Sequence, residues 1–224
     1  MRQTRTRSMT LRSVAASVAA ALALGALSGC VPLEEDPIGG SGQQAGSGDA
    51  AEAEKLLGEL TVADARPMRG YSRERFKHWR SAGKNCDVRD TVLERDGTGV
   101  ELDGCNVVGG SWSSVYDNRT IDDPSGVDID HTVPLANAWR SGADEWEDDR
   151  RSEFANDLTR PQLLAVSASS NRSKGDQDPS QWKPTNQDAW CDYAIDWITV
   201  KSHWELTVTA AEKTALQDML ETCV

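Results

Sequence analysis

Nine residues decide how this chain is read: Val127-Asp128-Ile129-Asp130-His131-Thr132-Val133-Pro134-Leu135. Val127, Ile129 and His131 alternate with Asp128 and Asp130, which is the period of a β-strand. Pro134 ends the run, because proline cannot donate to a strand ladder. The chain has only three histidines, and one of them follows an aspartate directly at this strand end. An imidazole with an ordinary pKa near 6.5 can take a proton from water at working pH. A carboxylate beside it offers oxygen to a hard cation. Neighbours on a strand point to opposite faces. A site shared by Asp130 and His131 therefore requires the chain to bend here, with the carboxylate in coordination range and the ring on the water side.

Working outward, Leu163 to Val166 is a short apolar run that suits a second strand. Ser167 to Asp176 (SASSNRSKGD) opens with capping residues and closes at Gly175, the pattern of a short exposed helix. Between the strands, 135–142 and 145–156 read as helices anchored by Leu135, Trp139, Trp146 and Phe154. Upstream, 51–66 and 71–79 read as helices. The stretch between Cys86 and Cys105 reads as helix then strand, and 107–116 as paired strands. Residues 118–126 read as a polar loop. Two helices close the chain at 189–204 and 209–223. The second starts at Thr209 with Glu212 three residues on, a capping box.

Residues 1–29 carry Arg2, Arg5, Arg7 and Arg12, no acid, and an apolar run too short to span a membrane. This is an export signal. Its end, Leu27-Ser28-Gly29-Cys30, resembles the lipobox of bacterial lipoproteins. That resemblance implies lipidation of Cys30 and a protein held on the outer face of the cell membrane, or else secreted. Residues 30–50 are rich in Gly, Ser, Gln and acid and form a flexible tether. Residues 51–224, with eight Trp, form one domain. With Cys30 set aside, four cysteines remain for an oxidising compartment. Of three possible pairings, Cys86–Cys105 and Cys191–Cys223 are expected, because each closes a compact local unit. No C-x-x-C spacing occurs, which argues against a thiolate zinc site. Removing residues 1–29 takes away four Arg and leaves 20 basic against 36 acidic residues, a net −16. That balance counts against tight nonspecific nucleic-acid binding, though not against a local site.

The set YSRERF, NCDVRDTVL, DIDHTVPLANAW, FANDL and SNRSKGD resembles the HNH nuclease superfamily, the ββα-metal finger, in its Asp-His/Asn/Asn form found in small secreted bacterial proteins. The likeness runs from about Tyr71 to Cys223. It implies an α+β fold: an HNH finger at about 127–177 embedded in a mostly helical single domain with short strands and two disulfides. It implies a metal-dependent endonuclease that hydrolyses phosphodiester bonds in nucleic acid, DNA before RNA. By the same resemblance His131 is the general base, and Asp130 and Asn171 hold a divalent cation. Asn156 orients the base through the backbone, and Arg172 and Lys174 contact phosphate. An Asn at 171 in place of a third His implies Mg²⁺ or Mn²⁺ rather than Zn²⁺. The chain reads as a monomer with no obligate protein partner. The alternative is a catalytically silent envelope lipoprotein or binding module on the same scaffold.

Overall fold

The computed structural model describes residues 47–83 and 86–223. The export signal, Cys30 and the tether up to residue 46 lie outside the described residues. The first described element, α1 (Ser47–Glu59), begins inside the segment expected to be tether. It is followed by a hairpin of β1 (Ser81–Gly83) and β2 (Cys86–Asp87), then α2 (Val88–Asp96). Asp87 starts α2 with a full capping box. Its carboxylate accepts from Asp90 N at 3.0 Å, and Asp90 returns the bond at 3.1 Å.

Strands β3 (Gly97–Asp103), β4 (Asn106–Ser114) and β5 (Arg119–Ile121) form an antiparallel meander. Trp112 on β4 fills a small core with Val88, Val92 and Leu93 of α2. The site strand is β6 (Val127–His131). After it come α3 (Leu135–Arg140), α4 (Asp148–Ala155), β7 (Leu163–Ser167) and α5 (Ala168–Lys174). Helices α6 (Trp190–His203) and α7 (Ala210–Leu220) close the chain, with Thr209 and Glu212 forming the expected capping box.

The larger core is helical. Leu57 of α1, Trp139 of α3, Phe154 of α4, Trp197 of α6 and Leu216 of α7 meet there, all nearly or fully buried. The β6–β7 pair stands between the two cores. Val127, Ile129, Leu163 and Ala165 face the small core, and Val166 faces the large one. Both disulfides form as expected, Cys86–Cys105 and Cys191–Cys223. Each constrains the unfolded chain by closing a short loop. Among the described residues, no helix is long and apolar enough to cross a membrane.

Three local expectations change. Residues 71–79 make only a single 3-10 turn at Arg73–Arg75. Phe76 and Trp79 share no helix face: Phe76 enters the large core, while Trp79 packs against the small one. The expected loop 118–126 contains β5 and a 3-10 turn at Pro124–Gly126. The bend expected at Asp130–His131 is absent. β6 and β7 pair in unbroken antiparallel register from Val127↔Ser167 to His131↔Leu163. The ladder even runs one bond further, with Thr132 N donating to Gln162 O at 2.8 Å.

Candidate functional site

With β6 straight, its alternation assigns the faces. Asp128 and Asp130 lie under α5, and His131 lies on the opposite side. Two residues along a strand and one turn along a helix are comparable spacings. Helix α5 thus lays Asn171 over Asp128 and Lys174 over Asp130. Asn171 Nδ2 donates to Asp128 Oδ2 at 3.1 Å. The Arg172 guanidinium lies 3.7 Å from the same oxygen and is mostly exposed.

The inner pair is sealed. Lys174 Nζ donates to Asp130 Oδ2 at 2.6 Å and to the His131 carbonyl at 2.8 Å. Tyr116 Oη donates to the same carboxylate oxygen at 2.7 Å. Lys174 is 0% and Asp130 4% exposed. Burial pulls the Lys174 ammonium below its usual pKa, and the Asp130 charge opposes that pull. Burial drives the Tyr116 hydroxyl well above its usual range, and Asp130 adds to the rise. Lys174 is therefore corrected from a phosphate contact to an internal counter-ion. An ammonium with no exposed surface cannot meet a solvent-borne phosphate.

This arrangement also tests the expected cation ligands. Asp130 and Asn171 do not converge, since each is engaged by a different partner. A divalent ion at Asp130 Oδ2 would sit against an ammonium 2.6 Å from that oxygen, so Asp130 does not fit. Asp128 with Asn171 fits better. With the Asn171 amide turned to present its oxygen, a 3.1 Å separation is close to that of two neighbouring ligand atoms on an octahedral ion with bonds of about 2.1 Å. Among the described residues, no group of three or more His, Cys, Asp or Glu side chains is placed to hold a metal.

On the other face, His131 is 5% exposed and stacks on Trp79 with ring centroids 5.7 Å apart. His78 meets it edge-on at 6.2 Å. His131 Nε2 lies 3.0 Å from the Ala155 carbonyl. A carbonyl can only accept, so Nε2 carries the hydrogen and Nδ1 keeps the lone pair. Burial lowers the imidazole pKa to about 3 against the pull of the Ala155 carbonyl. Arg73, His78 and Lys174 add smaller downward contributions. The ring is neutral at pH 7, and the same burial makes it a weaker proton acceptor than a solvated imidazole.

Asn156 ends α4 one residue beyond that carbonyl. Its amide clamps the loop that delivers Trp79. Nδ2 donates to Lys77 O and to Ser152 O, both at 2.7 Å, and Oδ1 accepts from Arg80 N at 2.9 Å. Trp79, between the clamped groups, has φ +58. A bulky residue held there carries roughly 1–3 kcal/mol of backbone strain. The two Asn156 bonds to Lys77 and Arg80 offset it and keep the indole over His131.

Residues 89–219 match the family model described as GmrSD restriction endonucleases, C-terminal domain. An uncharacterized secreted protein of Arthroderma benhamiae is 53% identical over 175 residues, which cover 78% of this chain and 86% of that relative. The chain belongs to the GmrSD C-terminal domain family. That is a nuclease family, and the match spans β6, α4, β7 and α5. No solved structure matches the chain.

Some of these contacts could have been read from spacing. The i, i+2 pair Asp128/Asp130 and the i, i+3 pair Asn171/Lys174 predict two matched contacts between a strand and a covering helix. Trp79 had no such signal, because its role depends on a left-handed backbone held from 77 residues away in sequence.

Proposed function

We propose that the chain is a secreted endonuclease that hydrolyses nucleic-acid phosphodiester bonds, DNA before RNA, on an HNH-type finger formed by β6, β7 and α5. The observation that carries the reading is His131. It lies at the end of β6 with its ring oriented by the Ala155 carbonyl beside Asn156, in a chain of a nuclease family. Nδ1 takes the proton of the attacking water. The Ala155 carbonyl holds Nε2–H and favours the imidazolium that forms. Trp79 and His78 keep bulk water off the ring. Asn156 fixes the loop and is a positioning residue.

Asp128 and Asn171 are the residues that would hold a Mg²⁺ or Mn²⁺ ion, which would there neutralise the charge of a phosphate on their own face of the strand. They lie on the face of β6 opposite His131. The export signal and the secreted relative support action outside the cell, and lipidation of Cys30 would keep the protein at the membrane. It acts as a monomer on nucleic acid.

A second reading has its own support. The sealed Asp130–Lys174 pair and the nearly buried His131 suit a catalytically silent envelope or binding protein that keeps the scaffold. Plasmid nicking separates the two. The nuclease reading expects nicking with Mg²⁺ or Mn²⁺, its loss in EDTA, and at least a 100-fold loss in His131→Ala, the lower range for a general base. Equal inactivity of wild type and His131→Ala with every metal leaves the silent scaffold standing.

A further inference from the structure

The chain is acidic overall, with 24 basic against 36 acidic residues, yet three arginines line one cleft beside the site. The cleft has a volume of about 620 Å³ and is lined by Arg80, Arg150, Arg160, Asn156, Thr159 and His203, with Trp204 also in its wall. It shares the Ala155–Asn156 peptide with His131. The carbonyl of that peptide holds the imidazole, and the Asn156 residue lines the cleft.

Two of the arginines are fixed in advance. Arg80 Nε donates to Ser152 Oγ at 2.7 Å and Nη2 to Asp149 O at 3.4 Å. Arg150 lies over the Trp146 ring at 4.7 Å and donates to Glu205 at 2.8 Å and to Trp204 O at 3.3 Å. Arg160 is held loosely. The Asp157 carboxylate oxygen of its ion pair is 3.8 Å away, beyond hydrogen-bond range. Its side chain is 34% exposed, so its fork is open to a ligand.

The acids of the cleft are Asp157 and Glu153. Asp157 is buried and already spent. It accepts from Thr159 N, Arg160 N and Trp204 Nε1 at 2.9, 3.2 and 3.0 Å. Arg150 is paired with Glu205, which leaves the Arg80 and Arg160 forks against exposed Glu153. Planar forks, pre-positioned at little entropic cost, match the oxygens of a phosphate.

We infer that this cleft seats the phosphodiester backbone of the strand to be cut, with Arg160 closing on a phosphate between the fixed Arg80 and Arg150. The inference rests on the nuclease reading for its substrate. The full secreted chain is titrated in EDTA, by fluorescence anisotropy, into a labelled 12-nucleotide single strand across a salt series. Relative to wild type, Arg160→Ala weakens binding about fivefold, the upper range for one exposed ion pair. It also flattens the log Kd against log salt slope by about 0.7. Arg150→Ala with Arg160→Ala flattens the slope by about 1.4.

Parallel salt lines for wild type and both variants overturn the cleft. So does displacement of the oligonucleotide by a sulfated polysaccharide at equal charge concentration, which would make the cleft a general anion site. A wild type that binds through these arginines and never cleaves with added metal defeats the nuclease reading and leaves the cleft. A wild type that cleaves with unaltered slopes in the variants defeats the cleft alone.

Discussion

Replacing Lys174 with Met separates an internal counter-ion from a surface phosphate ligand. Met keeps the length and the packing against Trp197, whose ring centre lies 5.8 Å from Nζ, and removes only the ammonium. In the native fold that ammonium holds Asp130 Oδ2 at 2.6 Å and the His131 carbonyl at 2.8 Å, with neither Lys174 nor Asp130 more than 4% exposed. Without it, the Asp130 carboxylate keeps the Tyr116 hydroxyl as its donor in a dry site. Breaking one side of such a pair costs roughly 3–5 kcal/mol, or about 6–20 °C in Tm for a chain of this size. Asp130→Asn removes the other charge. The double variant restores neutrality, so the cycle should show a coupling of about 2–3 kcal/mol. Urea unfolding with disulfides intact measures all four proteins. A Lys174→Met cost under about 1 kcal/mol, with coupling near zero, is the behaviour of a solvated lysine and would refute the counter-ion assignment.

Two further outcomes are expected. Asn156→Ala removes three bonds to backbone, at about 1 kcal/mol each. It should cost roughly 3 kcal/mol and expose the Arg80 amide to hydrogen exchange, and retained protection of that amide would show that Asn156 does not clamp the loop. Asp196 on α6 has its pKa raised to about 7 by burial and then by Asp192. A raised folded pKa gives stability that is full below the unfolded value of about 3.8 and is lost as pH rises through 7. The shift corresponds to about 4 kcal/mol at most, and partial exposure reduces this to roughly 1–2 kcal/mol. Asp196→Asn should therefore raise the urea midpoint at pH 8 and not at pH 4. An equal rise at both values would remove the titration as its cause.

Local chemistry made much of this fold legible before any coordinates. The period-2 pattern placed β6 and a short apolar run placed β7, each within a residue. Thr209 with Glu212 placed the start of α7, and short-range closure placed both disulfides. The failures share a physical origin in contacts between distant segments. Lys174 sits in SASSNRSKGD, a run polar enough to read as solvated, yet it is fully buried because a carboxylate from β6 and an indole from α6 meet it there. Phe76 and Trp79, spaced for one helix, serve different clusters. Arg80, Arg150 and Arg160 come from separate segments, so no linear pattern announces their cleft.

The alternation of β6 raised an objection to a shared Asp130–His131 site, and the fold upholds it by keeping the strand straight. The two faces are nevertheless joined. Lys174 bonds the Asp130 side chain on one face and the backbone carbonyl of His131 itself, while the His131 ring is held from the other face by the Ala155 carbonyl. A residue pinned by its carbonyl on one side and its ring nitrogen on the other has little freedom to turn. The buried ion pair therefore does for the backbone of His131 what Asn156 does for its ring. On this argument Asp130 acts in this chain by fixing the backbone of His131, and the more exposed carboxylate of the strand is Asp128, two residues back.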